Sequence, residues 1–214
     1  MAKPFKTHDI VRSNPKKRAD YHGYKDDLIR DFGGRCAYCN LHQDSISMSH
    51  QIDHFIPQDA FKGKRNDLLT DYGNLVLACG KCNRAKGSKF DGDISLPNPK
   101  NERFYDPVET DYNTIFFRND FGCIASHDPK GQQMITDIGL YRPIHIWGWV
   151  CEALERAIDD VDLRIDEEED ESIRGKLSEA AQKMKSQYIE IERSFRVAYK
   201  EKDWSLELSM REPH

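Results

Sequence analysis

The sequence predicts an α+β fold, with a small metal-stapled core followed by a helical C-terminal region. Three observations predict it. Four of the six cysteines fall into two pairs, Cys36-Ala-Tyr-Cys39 and Cys79-Gly-Lys-Cys82. Short apolar runs around the pairs give the order strand, basic loop, strand, short helix. Beyond Pro143, apolar residues recur at helical spacing over most of the remaining chain.

Thiols at a two-residue gap bring both sulfurs to one side of a tight turn. Two such turns complete the tetrahedron that zinc favours, at about 2.3 Å from each sulfur. A redox dithiol or paired disulfides would use the same residues, but six cysteines in 214 residues fall well short of a disulfide scaffold. The spacing favours a closed structural zinc site on Cys36, Cys39, Cys79 and Cys82, and a reducing compartment, the cytoplasm. Gly34 and Gly80 ease the turns, and the lone Cys123 and Cys151 are assigned to packing.

Residues 1–19 are polar and basic, with Pro4 and Pro15 as breakers, and predict a loosely ordered basic arm that lies along nucleic acid or is simply solvated. Residues 20–100 form the expected core. Tyr21, Tyr24, Leu28, Ile29 and Phe32 recur at helical spacing, and Gly33-Gly34 supplies the stop. Ile52 to Ile56 reads as a strand ended by Pro57, Leu75 to Ala78 as a second strand, and Cys82 to Gly87 as a short helix. The loop from Gln58 to Gly73 carries Lys62, Lys64 and Arg65, solvated in one reading and phosphate-contacting in the other. Residues 101–142 predict a short β-rich extension with a hairpin turn at Gly122. Residues 143–214 predict a helical hairpin packed on the core. Its first stripe runs from Ile144 to Ile165, and its second helix reaches about Lys202 through Leu177, Met184, Ile191 and Val197.

The net charge of −5 hides an asymmetry. Residues 1–100 carry 17 Lys/Arg against 12 Asp/Glu, and residues 101–214 carry 15 against 25. A basic half can meet phosphates while an acidic one repels nucleic acid or faces a protein; ordinary solvated surface is the plain alternative. No stretch has signal-peptide character and no window approaches the roughly 18 apolar residues of a membrane span, so a soluble, unprocessed chain away from membranes is expected.

Asp53 and His54 are adjacent, so on a regular strand they face opposite ways. A strand end, which Pro57 provides nearby, would let both serve one site, and the zinc staple would return Asn83, next to Cys82, toward Asp53. A positioned base and a cation-holding group are what phosphodiester hydrolysis requires. Asn74, in a Gly-Asn turn, suits loop support better than direct chemistry. His50, three residues before Asp53, is a weaker candidate for phosphate contact, while His8, His22, His42, His127, His145 and His214 are read as surface or packing residues.

The ordered set Cys-x2-Cys, Ile52-Asp53-His54-Phe55-Ile56-Pro57, Gly73-Asn74-Leu75-Val76-Leu77-Ala78-Cys79 and Gly80-Lys81-Cys82-Asn83-Arg84-Ala85-Lys86-Gly87 resembles the HNH, or ββα-metal, endonucleases over roughly residues 33–90. The resemblance implies His54 as general base, Asp53 and Asn83 as ligands of a catalytic metal, and Asn74 as the residue pinning the loop behind His54. Arg84 and Lys86 would lie near phosphate. Asn83 stands where many members carry His, and an oxygen-only ligand set favours Mg²⁺, with Mn²⁺ tolerated, over softer ions. The implied activity is cleavage or nicking of DNA to 5′-phosphate and 3′-hydroxyl ends. The alternative is a catalytically silent zinc module that binds nucleic acid or a protein. Phe104-Tyr105-Asp106-Pro107, Gly122-Cys123-Ile124 and Ile138-Gly139-Leu140-Tyr141-Arg142 are similar to free-standing HNH nucleases of prokaryotic antiphage defence systems of the Septu, Zorya or retron type. That likeness implies an ATPase or sensor protein as partner.

Overall fold

The computed structural model describes residues 3–6, 8–46 and 48–200. The chain divides into two compact units, Met1–Tyr141 and Arg142–His214.

In the first unit, β1 (Lys3–Pro4) leads to a 3₁₀ turn at Tyr21–Tyr24, which Asp20 caps by accepting from the His22 backbone N–H. Helix α1 (Lys25–Asp31) stops at Gly33 and Gly34, whose φ of 56° and 67° lie in the left-handed region that glycine enters without strain. Then come α2 (Gln43–Ile46), β2 (Gln51–His54) and α3 (Gln58–Phe61). The expected basic loop is largely ordered, because α3 and 3₁₀ turns at Asn66–Leu69 and Tyr72–Asn74 bury Phe61 and Leu68 with Ile56. β3 (Leu75–Ala78) pairs antiparallel with β2, His54 opposite Leu75 and Gln51 opposite Ala78. Helix α4 (Gly80–Lys86) begins at Cys79, whose sulfur accepts from the Cys82 N–H, and ends at Gly87 with φ 53°.

The extension comprises α5 (Tyr112–Ile115), β4 (Phe117–Arg118), β5 (Ile124–Ala125) and α6 (Pro129–Ile138). β4 and β5 form the hairpin expected around Gly122, and β1 adds to the other edge of β4. Helix α6 was not anticipated, although its signals are present: an Asp128 cap on the Gly131 N–H, proline in the first turn and a left-handed Gly139 at the end.

The N-terminal segment is not a loose arm. Phe5 is buried against Tyr112 and Phe116, with ring centroids 6.1 and 5.5 Å away. Lys6 donates to the Pro107 carbonyl at 3.3 Å and sits 4.0 Å from the centre of the Tyr112 ring, and burial lowers its pKa to about 8. Arg12 donates to the carbonyls of Tyr72, Gly73 and Leu75 at 2.7, 3.1 and 2.8 Å. Lys6 and Arg12 are thus satisfied by carbonyls and a ring, which leaves them unavailable to phosphate.

The second unit is a hairpin of α7 (Pro143–Glu167) and α8 (Glu171–Lys200). The connection of residues 168–170 is short, and Lys185 pairs with Asp162 across the helices at 2.8 Å, which makes the arrangement antiparallel. The expected end near Lys202, and residues 201–214 of the hairpin, lie outside the described residues. Among the described residues no helix is long and apolar enough to cross a membrane.

Candidate active site

The four paired cysteines come together. Their sulfurs lie within 4.8 Å of one another, all buried, with Cys39 Sγ 3.8 Å from Cys79 Sγ. A disulfide needs about 2.05 Å. A separation near 3.8 Å is instead the edge of a tetrahedron with a metal at about 2.3 Å from each sulfur. Burial pushes the thiols of Cys39 and Cys82 well above their ordinary range, a cost that a bound dication would reverse. The donor set therefore fits zinc. Left-handed backbone flanks the first pair at Gly34, with φ 67°, and at Asn40, with φ 63°. Gly80 needs no special conformation, since an added Cβ would meet only the Gln51 side chain at 3.7 Å.

His54 closes β2, and Asp53, His54 and Asn83 border one cleft of about 290 Å³. The His54 tautomer follows from its partners. Nε2 lies 2.9 Å from the Leu69 carbonyl oxygen, which can only accept, so Nε2 carries the proton and Nδ1 keeps its lone pair. The Gln58 amide nitrogen lies 3.3 Å from Nδ1 and donates to it. Burial lowers the His54 pKa, opposed by the Leu69 carbonyl and Asp53, so the ring is neutral near pH 7.

Asp53 is held from two sides. Tyr38, inside the first cysteine pair, donates to Oδ2 at 2.6 Å, and Lys86 lies 3.0 Å from Oδ1. Burial raises the Asp53 pKa while Lys86 and Tyr38 pull it down. Lys86 corrects an expectation. It is 0% exposed and also donates to the His54 carbonyl at 2.8 Å, so it ties α4 to the end of β2 and cannot meet phosphate. An ammonium tolerates such burial only when paired and hydrogen-bonded, as here.

Asn74 accepts from the Ile56 N–H at 2.8 Å and donates to the carbonyls of Ile56 and Leu68 at 3.2 and 3.3 Å. It thereby fixes the chain leaving His54 and the turn whose next carbonyl, Leu69, sets the imidazole. Asn101 adds a second pin, donating to the Phe55 carbonyl at 3.2 Å. Asn83 donates to the Gln51 amide oxygen at 2.8 Å, which leaves Asn83 Oδ1 as its remaining donor atom for a cation.

Of the other cations expected at phosphate, Lys62, Lys64 and Arg84 are exposed. Arg65 is not available. It pairs with Asp67 at 2.8 Å and donates to the Leu96 and Pro97 carbonyls at 2.7 and 3.3 Å, stapling two loops together. His50 is likewise buried, its Nε2 2.7 Å from the Leu41 carbonyl. Tyr38 and Tyr21 were missed as site residues. Tyr21 read as a core position, yet it borders the cleft and meets His54 edge-on at 4.7 Å. A wider cavity of about 450 Å³ touches Asn74 but is lined by none of Asp53, His54 or Asn83.

Residues 36–89 match the HNH endonuclease family. The chain is also similar to the Septu protein PtuB of Bacillus thuringiensis, 28% identical over 113 residues, which cover 53% of this chain and 39% of that protein. The match thus spans about two fifths of the relative's length. No solved structure gave a significant match.

Proposed function

We propose that the protein is a metal-dependent HNH endonuclease that hydrolyses DNA phosphodiester bonds, with His54 as general base. The observation that carries this reading is the His54 tautomer: a neutral ring whose Nδ1 lone pair borders the cleft shared with Asp53 and Asn83, and whose Nε2–H is anchored on Leu69. A water that displaces the Gln58 amide from Nδ1 gives up its proton there, and the hydroxide oxygen attacks phosphorus in line. The P–O3′ bond breaks, and the leaving oxygen is protonated by solvent. The imidazolium formed is stabilised by the Leu69 carbonyl and the nearby Asp53 carboxylate.

Asp53 and Asn83 would hold Mg²⁺, or Mn²⁺ in its place. The fit rests on the donors, because each Asp53 oxygen keeps a lone pair beyond its present hydrogen bond, Asn83 offers an amide oxygen, and the cleft leaves room for the waters a hard cation retains. When bound, the ion supplies neutralisation of the charge that develops on the phosphorus oxygens and the departing alkoxide. Zinc on the four cysteines is structural. The exposed Lys62, Lys64 and Arg84 are left as phosphate contacts. A role in antiphage defence rests on the likeness to the Septu protein PtuB; an ATPase or sensor partner rests only on the resemblance read in the sequence. Purification from its native host with the products of neighbouring genes should recover such a complex, and its absence would count against that setting.

A plasmid assay in Mg²⁺ tests the chemistry. Wild type should give relaxed or linear product, and His54→Ala should lose about 10²–10⁴-fold in rate, the range of a general base. Asp53→Ala should be inactive as well. Because burial lowers the His54 pKa, the rate should hold as pH falls past about 6.5 and decline only below it. The silent-module alternative has one observation in its favour, that both Asp53 oxygens are already engaged. No product from wild type above a protein-free control would favour that alternative, whereas equal product from all three proteins would remove the roles given to His54 and Asp53.

A further inference from the structure

A second cleft, of about 360 Å³, adjoins the first and shares Tyr21, Ile52 and Asn83 with it. The 3₁₀ turn and the start of α1 give it two features with no assigned role. The first is a run of rings. Tyr21 meets His54 edge-on at 4.7 Å and stacks on His22 at 4.0 Å with 29° between the planes. His22 is held in that pose by Asp20, which accepts from its backbone N–H at 3.0 Å and lies 2.8 Å from its Nδ1. His22 is exposed, so the series leads from the cleft of His54 out to solvent.

The second feature is Lys25, half-buried in the cleft wall. It forms no ion pair among the described residues; the nearby Asp26 only partly offsets the burial that lowers its pKa. A partly desolvated ammonium without a partner is costly, and an anion entering the cleft would relieve that cost.

We propose that this second cleft is the subsite for the nucleotide adjoining the scissile phosphate, with Lys25 receiving its phosphate and the Tyr21–His22 face stacking its base. The inference rests on the nuclease reading above. It gives the 3₁₀ turn a reason to stand beside the base, since gripping the neighbouring nucleotide holds the scissile bond at Nδ1. The base it takes is unpaired, since a duplex base is already paired and stacked, and stacking tolerates every base, so the subsite confers no sequence preference.

Two measurements on the full chain separate the claims. Plasmid cleavage by wild type tests the nuclease reading, and no cleavage removes the inference with it. Binding of a short single-stranded DNA is then followed by fluorescence anisotropy in the inactive His54→Ala background across a salt series. Lys25→Ala should lower the slope of log affinity against log salt by about 0.7. Tyr21→Ala should bind roughly tenfold more weakly with the slope unchanged, while Tyr21→Phe should bind as the parent does. A methylphosphonate placed at successive positions should weaken the parent at one phosphate and have no further effect there on Lys25→Ala. Thermal melts confirm folding, with Lys25→Gln as the second variant. If wild type cleaves but these variants keep the parent's affinity and slope, or the methylphosphonate and Lys25→Ala effects simply add at every position, the subsite is wrong.

Discussion

Each of the two units is stabilised internally, and by opposite means. In residues 1–141 the short strands around the site are positioned by buried polar groups. Asp53 lies between Tyr38 and Lys86, Asn74 and Asn101 pin the chain after His54, Arg12 grips three carbonyls beside Asn74, and four thiols meet at one point. In residues 142–200 two long helices pack along apolar stripes, and the polar contacts between or along them, such as Asp162 with Lys185 and Glu192 with Arg196, are partly or wholly exposed. The difference teaches where precision is needed. A buried polar group left unmatched costs about 1–3 kcal/mol, so each pin enforces one geometry. An amphipathic pair tolerates change on its outer face.

The largest expected effect breaks the comparison at its base. Cys79→Ser removes one of the four thiols proposed to hold zinc, and structural zinc contributes about 10–16 kcal/mol of apparent binding free energy to folding. Metal analysis should fall from near one zinc per chain, and the first unit should lose its structure. Much of the helical circular-dichroism signal should survive, because α7 and α8 draw on no metal. Complete loss of helicity would show that the hairpin depends on the stapled unit.

Asn74→Ala comes next. It strips partners from the Ile56 N–H, the Ile56 carbonyl and the Leu68 carbonyl, all buried, and should destabilise the first unit by about 3 kcal/mol in urea unfolding. Tyr38→Phe is smaller, about 1.5–3 kcal/mol for one hydrogen bond to a charged group. It carries a pH signature whose sign follows from linkage. Tyr38 lowers the Asp53 pKa, so its loss raises that pKa further. The folded variant then holds its proton to higher pH, and the deficit against wild type should grow as pH rises through the Asp53 titration.

The features legible in the sequence were those with short-range signatures: the cysteine spacing, Asp53-His54 before a proline, both core strands, the Gly33-Gly34 stop and the long helical stripes. What escaped was set by where the chain returns on itself. Tyr38 drew no assignment between the two cysteines, but the turn they form aims its hydroxyl at a residue 15 positions away. Lys86 was expected near phosphate, and nothing within one seven-residue helix could reveal that it pairs with a carboxylate 33 positions upstream. The N-terminal segment looked loose because its acceptors, the carbonyls of Tyr72, Gly73 and Leu75, lie some 60 residues on. Composition cannot register a backbone acceptor.

The smallest expected effect sharpens the comparison from the other side. Lys185→Ala deletes a 2.8 Å ion pair with Asp162, shorter than the 3.0 Å contact between Lys86 and Asp53. If distance alone governed the contribution, the surface pair would matter at least as much. Its side chains are 49% and 42% exposed, however, so water and salt screen the attraction and each ion is resolvated when the other is removed. Lys185→Ala should therefore change stability by under about 1 kcal/mol, and less still at high salt. Lys86→Ala strands a buried carboxylate and the His54 carbonyl and should cost about 3–5 kcal/mol. Chemical denaturation of the two variants side by side measures the contrast. Equal losses would mean that the hairpin is pinned as the site is, and that its polar contacts specify geometry as well.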